Sequence, residues 1–342
     1  MTLADASIAP AVLDRAREAS RPALRVATAR LEPPLARVAA YHMGWADEAG
    51  RELPGNGGKA LRPALALLSA EAVGAPTHVG VPGAVAVELV HNFSLIHDDL
   101  MDGDEERRHR PTAWKVFGPG LAVLAGDGLL VLAEQVLMDA DDADGDRAAR
   151  LLTEATARLI DGQSQDLSFE ARLDVTVDEC LTMAGNKTGA LLACASAIGA
   201  ALAGADERTV QALYGFGHHL GVAFQAVDDL LGIWGRPEVT GKPAWNDLRR
   251  RKKSVPVVAA LSSDTTAGRE LARIYTDEGP RNEEGLALAA RLVEEAGGRA
   301  RTETEAARRL EQAMACLDSL DVPQGTYTDL TSLAAFTTTR EL

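Results

Sequence analysis

Val85-Ala86-Val87-Glu88-Leu89-Val90-His91-Asn92-Phe93-Ser94-Leu95-Ile96-His97-Asp98-Asp99-Leu100-Met101-Asp102 is a long apolar run that ends in three aspartates. It contains no helix breaker, and the run reads as a helix. On that helix Asp98 and Asp102 stand at i and i+4 and project from one face, while Asp99 points about 100° away. Acids at the end of so apolar a helix repel one another unless a cation neutralises them. Read alone, the cluster is equally a cation site or a solvated helix end.

A second run changes that balance. Tyr214 to Leu231 is again long and apolar, and it carries the adjacent pair Asp228-Asp229. Two such helices facing each other would bring two acidic ends to the mouth of one cavity. Hard oxygen ligands, without Cys or a ladder of His, favour Mg²⁺ over zinc. Magnesium seldom takes an all-protein cage and completes its shell with water and phosphate oxygens. The implied ligand is a diphosphate bridged to the acids by metal, with its tail between the apolar helix faces.

Basic residues point to a second anion. In Gly57-Gly58-Lys59-Ala60-Leu61-Arg62-Pro63, Lys59 and Arg62 stand at i and i+3 after a glycine turn, near an expected helix start. Backbone N–H groups and the helix dipole favour phosphate there. Arg107 and Arg108 follow the first acidic motif after a short loop. As neighbours they do not easily share one side of the backbone, so each could serve a different anion.

Together these residues resemble the trans-polyprenyl diphosphate synthase, or polyprenyl synthetase, family. The matching motifs run from Gly57 to about Pro256 and include the Gly-Gly-Lys-x-x-Arg-Pro turn, the first aspartate-rich motif and the Arg pair. Gly162-Gln163-Ser164-Gln165-Asp166, Lys187-Thr188, Phe224-Gln225, Asp228-Asp229, Gly241-Lys242 and Lys253 follow in the family's order. The resemblance implies an isoprenoid synthase fold and a head-to-tail condensation of isopentenyl diphosphate onto an allylic diphosphate. It implies that Asp98, Asp102 and Asp228 hold three Mg²⁺ ions on the allylic diphosphate, with Asp166 supporting the metal site. Arg107, Lys187 and Lys242 would contact the same diphosphate, and Lys59, Arg62, His91 and Arg108 would hold isopentenyl diphosphate without metal. Gln225 and Thr188 would lie near the reacting carbons, forming a catalytic set with Lys187 and Lys242.

Elementary chemistry agrees. Ionising an allylic C–O bond leaves diphosphate as an anion, which divalent metal, Arg and Lys stabilise. The cation left behind needs shielding from water, which an apolar lining provides. With no His or Glu base evident beside the acids, the departing diphosphate is the expected proton acceptor.

The chain also departs from the family pattern. Gly232 stands where a third Asp is usual, Arg236 where an acid is common, and Trp245 where a small residue is usual. Trp245 could equally cover the mouth of the site or pack on the surface. The basic run from Arg249 to Lys253 reads as a solvated helix start, with a role only for Lys253. Upstream of Asp98, Ser94 is small and lets a growing tail pass, whereas Phe93 obstructs it deeper down. An aromatic at only the second of these positions resembles the geranylgeranyl-forming type, so a twenty-carbon product is expected, with fifteen carbons next.

Composition fits this reading. Helical apolar spacing nearly everywhere, with no strand-like alternation, gives an all-α class. The expected architecture is a single large bundle around one deep central cavity, built from residues 21–342, with residues 1–20 a loose N-terminal extension. Leu35 to Ala46, Ala60 to Val73, Val85 to Asp102, Leu121 to Met138, Ala148 to Phe169, Val177 to Leu202 and Val210 to Trp234 are the long helices expected. Four shorter ones follow between Val255 and Leu320. A formal net charge of −15 without a basic face excludes nucleic-acid binding. Cys180, Cys194 and Cys316 are odd in number and widely spaced, as reduced core thiols are. No signal-peptide pattern and no uninterrupted transmembrane run are evident, so the cytoplasm is the expected location. The family resemblance suggests a homodimer.

Two rivals fit less well. A class I terpene cyclase shares the fold and an acidic motif but has no use for Lys59, Arg62 and Arg108. A helical phosphohydrolase would need His97 to ligate metal beside Asp98, yet helix geometry turns the two about 100° apart.

Overall fold

In this computed structural model the described residues are 11–54, 58–140, 143–172, 174–236, 244–276 and 282–338. The chain opens with α1 (Ala11–Thr28), α2 (Pro33–His42) and α3 (Leu61–Ala72), and a 3₁₀ turn (Thr77–Gly80) leads into α4 (Val81–Met101). A hairpin of β1 (Glu106–Arg107) and β2 (Arg110–Pro111) follows, then α5 (Ala113–Phe117), α6 (Pro119–Met138) and α7 (Ala143–Glu170). Next come α8 (Val177–Ala184), a π-helical turn (Gly185–Gly189), α9 (Ala190–Leu202) and α10 (Glu207–Trp234). After these stand α11 (Asn246–Arg249), α12 (Val255–Leu261), α13 (Thr266–Thr276) and α14 (Glu283–Glu295). Helices α15 (Gly298–Asp318) and α16 (Gln324–Thr338) close the described chain. The class is all-α, as the helical spacing implied.

Every residue of α9 is buried, as a helix apolar on all sides must be at the middle of a bundle. Helices α3, α7 and α10 pack around it, α4 lies along α6, and α15 runs beside α10. Helix α4 begins with Pro82 in its first turn, where a missing N–H costs nothing. It stops at Gly103, whose φ of +68° turns the chain out of the helix. Between those ends Val85, Val87, Leu89, Val90 and Ile96 are buried, each contributing about 1.5–3 kcal/mol to holding the helix in place. A smaller core of Ile233, Leu248, Val257, Leu271, Tyr275 and Val293 joins the end of α10 to α11–α14.

Several expectations are corrected. The loose extension expected through residue 20 is helical from Ala11 onward among the described residues. Val12, Leu13, Ala16, Ser20 and Leu24 line one face of α1 and are buried, a pattern masked by intervening Arg and Glu. Helix α2 ends at His42 rather than Ala46, because Gly44 turns the chain with φ +73°. The single helix expected from Val177 to Leu202 is interrupted by the π turn. By length and composition Thr77–Met101 and α6 are long and apolar enough to cross a membrane, although Glu88 interrupts the first and Asp127 and Glu134 the second. The first is 67% buried in protein, which marks a core helix, whereas α6 exposes Leu124, Val131 and Met138.

Candidate active site

The acids at the end of α4 open onto a cleft of about 790 Å³, lined by Asp98, Asp102, Arg107, Asp166 and Lys187 with Asp247, Arg250 and Lys252. Burial pushes Asp98 up to about 6; Lys187 and Arg107 oppose this, and Asp102 and Asp166 reinforce it. Asp99 points elsewhere, as its spacing required. It is buried and accepts from Arg107 Nε at 2.8 Å and from the terminal nitrogen at 2.7 Å. The β1–β2 hairpin aims the two arginines apart. Its turn residues Arg108 and His109 have φ of +53° and +59°, the left-handed pair that a two-residue hairpin needs. Arg107 therefore reaches the acidic cleft, while the Arg108 guanidinium lies beside Gly58 and within the field of Glu88.

Asp166 from α7 ties the two sides of the cleft together. Its carboxylate accepts from Lys187 Nζ at 2.7 Å. Burial alone would raise it, but Lys252 and Lys187 hold it below its ordinary value. Lys187 and Thr188 reach this position because the π turn displaces them from a regular helix, a common device at functional sites. Gly162 permits it: a side chain there would overlap the backbone of Lys187, so α7 and the π turn pack only with glycine between them. Thr188 Oγ1 donates to Gln225 Oε1 at 2.7 Å, and Gln225 Nε2 donates to Asp229 Oδ1 at 2.9 Å. The other Asp229 oxygen accepts from Val255 N at 3.0 Å, at the start of α12. Asp229 is thus a buried anchor, pushed up to about 6 by burial.

Asp228 is half-buried, and its charge acts on Lys252, which lines the cleft. Lys252 was missed by sequence reasoning, which favoured Lys253 within a solvated basic run. Burial alone would lower Lys252, but Asp247, Asp229, Asp166 and Asp228 raise it. Lys253 instead places its ammonium 5.5 Å from the Tyr275 ring centre, and Arg251 donates to the Tyr275 carbonyl. Trp245 is partly buried and packs against the smaller core, and Arg236 is exposed. Lys242 lies outside the described residues.

The second basic group stands apart from the acidic cleft. Arg62, His91 and Arg108 lie within one another's fields around Glu88, a counter-charge that sequence reasoning also missed. Burial, then Arg62 and Arg108, holds His91 well below its ordinary range, so it is neutral. Arg62 is lowered to about 10 by burial and kept charged by Glu88. Lys59 places its ammonium 5.5 Å from the ring centre of Phe336 on α16. Upstream of the acids, Ser94 donates to the His91 carbonyl at 2.9 Å. Phe93 is buried and meets His97 edge-on at 4.9 Å between ring centres.

The donor set fits magnesium. Asp98, Asp102 and Asp166 offer oxygen only, yet no group of three or more acids, His or Cys among the described residues is gathered closely enough to hold a metal alone. A metal here completes its shell with ligand and water oxygens, as Mg²⁺ does.

Comparison with known proteins agrees with this geometry. The profile of the polyprenyl synthetase family matches residues 43–293. The chain is 49% identical over 333 residues to a (2E,6E)-farnesyl diphosphate synthase of Mycobacterium tuberculosis, covering 96% of this chain and 93% of that protein. It is 45% identical over 313 residues to a geranylgeranyl diphosphate synthase of the same organism, covering 91% and 89%. The fold matches the crystal structure of a polyprenyl synthetase from Streptomyces coelicolor with a TM-score of 0.93 and 56% identity, over 96% of this chain and 99% of that one. A geranylgeranyl pyrophosphate synthase of Corynebacterium glutamicum, complexed with isoprenyl diphosphate and magnesium, matches with a TM-score of 0.82 and 27% identity over 97% and 99%.

Proposed function

The chain belongs to the polyprenyl synthetase family and is a trans-prenyltransferase, and from that premise we propose that it makes geranylgeranyl diphosphate from isopentenyl diphosphate and an allylic diphosphate. The observation that carries this reading is the division of the site into an acidic cleft with Lys187 and Arg107, and a separate basic group around Glu88. One suits a metal-bridged diphosphate, the other a diphosphate held without metal.

The family generally uses Mg²⁺, and we assign three ions per site to Asp98, Asp102 and Asp228, with Asp166 in support. When bound, the metal supplies positive charge to the departing diphosphate. Arg107, Lys187 and, in this reading, Lys242 hold that same group and share its developing charge. Lys59, Arg62 and Arg108 grip the isopentenyl diphosphate as cations, and neutral His91 donates one hydrogen bond. The Gln225 side chain is fixed between Thr188 and Asp229, which holds it in one orientation near the reacting carbons. The departing diphosphate takes the proton lost after condensation.

Product length rests on Ser94 and Phe93. Ser94 stands four residues before Asp98 and shares its face, giving the tail room, and the buried Phe93 ring closes the space beside it. The farnesyl reading is the second one, favoured by the name of the 49% identical relative. We further propose a homodimer through α6, where Leu124, Val131 and Met138 are 54%, 57% and 67% exposed. We place the protein in the cytoplasm on its three free thiols. Incubation with labelled isopentenyl diphosphate and separate five-, ten- and fifteen-carbon primers tests the product. Chromatography of the dephosphorylated alcohols should show twenty carbons as the main species; termination at fifteen carbons from every primer would select the farnesyl reading.

A further inference from the structure

The cleft has two walls that are far apart in sequence: the end of α4 with Asp102 and Asp104, and the segment Asn246–Lys253. Arg250 spans them. Its guanidinium donates to the Asp102 carbonyl at 3.1 Å and to the Asp104 carboxylate. The base of this side chain is fixed, because its backbone N–H donates to the Asn246 carbonyl at 3.0 Å and Arg251 beside it donates to the Tyr275 carbonyl. The partners lie 148 and 146 residues upstream, so the contact ties separate parts of the chain. Asp102 is held through its backbone, which leaves its carboxylate free to face the cleft.

We propose that Arg250 is a positioning residue that straps the Asn246–Lys253 wall to the end of α4 and so holds Asp102 and Lys252 in register for an allylic diphosphate. This rests on the reading given under Proposed function. The residues assigned there to isopentenyl diphosphate take no part in the strap. Arg250 and Asp104 are 41% and 33% exposed, so their ion pair alone is weak and the strap's effect is modest.

A guanidinium at the mouth of an anion site has two roles open to it, and they predict opposite responses. Acting as a direct phosphate ligand, Arg250 would be partly withheld by Asp104, and Asp104→Asn would tighten substrate binding. Acting as a strap, it needs Asp104, and both substitutions weaken binding through one shared contact. The experiment measures KM for both substrates in the wild type, Arg250→Gln, Asp104→Asn and the double variant. The strap predicts that each single variant raises KM for the allylic diphosphate about fivefold, the double variant no further, and KM for isopentenyl diphosphate by less than about twofold. A fall in KM for Asp104→Asn, additive effects, or equal effects on both substrates would overturn it. Hydrogen exchange without substrate keeps this test separate from the enzymatic reading. Faster exchange across Asn246–Lys253 in both variants supports the strap, and unchanged exchange overturns it, whatever the wild type condenses.

Discussion

Gly232 lies four residues after Asp228, where the acidic pattern would place another carboxylate, and the obvious repair is Gly232→Asp. The structure predicts that this repair fails. A Cβ at position 232 would overlap the carboxylate of Asp247, which arrives from α11 and fills that space. Asp247 is only 7% exposed and is the leading negative charge acting on half-buried Lys252. Even Gly232→Ala must displace it. Overpacking costs about 1–3 kcal/mol, and losing a buried charge partner outright costs about 3–5 kcal/mol. The second cost is only partly incurred, since Asp166, Asp228 and Asp229 still surround Lys252. Alanine's helix preference returns about 1 kcal/mol. The net expectation is a loss of about 2–4 kcal/mol. With an unfolding entropy of about 2.1 cal/mol/K per residue across 342 residues, Tm falls by about 3–6 °C. Gly232→Asp should fall at least as far and lose activity, whereas Gly232→Asp with Asp247→Gly moves the carboxylate from one backbone to the other and recovers most of both. Thermal unfolding and product formation across a magnesium series measure this. A Gly232→Ala protein as stable as the wild type, or a double variant no better than Gly232→Asp, would refute the reasoning.

Three further outcomes are expected. Burial pushes Asp98 up to about 6, above its ordinary 3.8, so its protonated form favours the folded protein below pH 4 and that contribution is lost as pH rises through about 6. In chelator-treated protein Asp98→Asn should therefore flatten the fall of unfolding free energy between pH 4 and 7 by up to about 3 kcal/mol, measured by urea titration; an unaltered slope would contradict it. Phe93→Ala should lengthen the products by at least one five-carbon unit, read by chromatography, and an unchanged distribution would remove Phe93 from the account of length. Leu124→Asp with Val131→Asp should convert a dimer to a monomer in sedimentation, whereas an unchanged dimer would place the interface elsewhere.

The sequence made the acidic helices legible because their signal is local: long apolar runs ending in aspartates, with an i, i+4 carboxylate pair on the first. What it hid depends on distance or on unfavourable backbone. Nothing in Arg108-His109 advertises a left-handed pair, since neither residue is glycine, yet that turn separates the roles of Arg107 and Arg108. The π turn over Gly185–Gly189 sits within an apolar run that reads as unbroken helix. Helix α16 is rich in Thr and polar enough to pass for a tail, but it carries Phe336 beneath Lys59. Glu88 and Lys252 escaped because each matters through charges on other helices. A basic run reads as solvated until the fold sets one of its members, the half-buried Lys252, among four aspartates.

Calorimetric binding of an allylic diphosphate, compared with isopentenyl diphosphate, in magnesium and in chelator, tests most directly whether carboxylates hold one substrate through a divalent cation. For the wild type, allylic binding should require magnesium and isopentenyl binding should not, and Asp98→Asn with Asp102→Asn should abolish only the former. Equal allylic binding in chelator, or full binding by the double variant, would contradict the account.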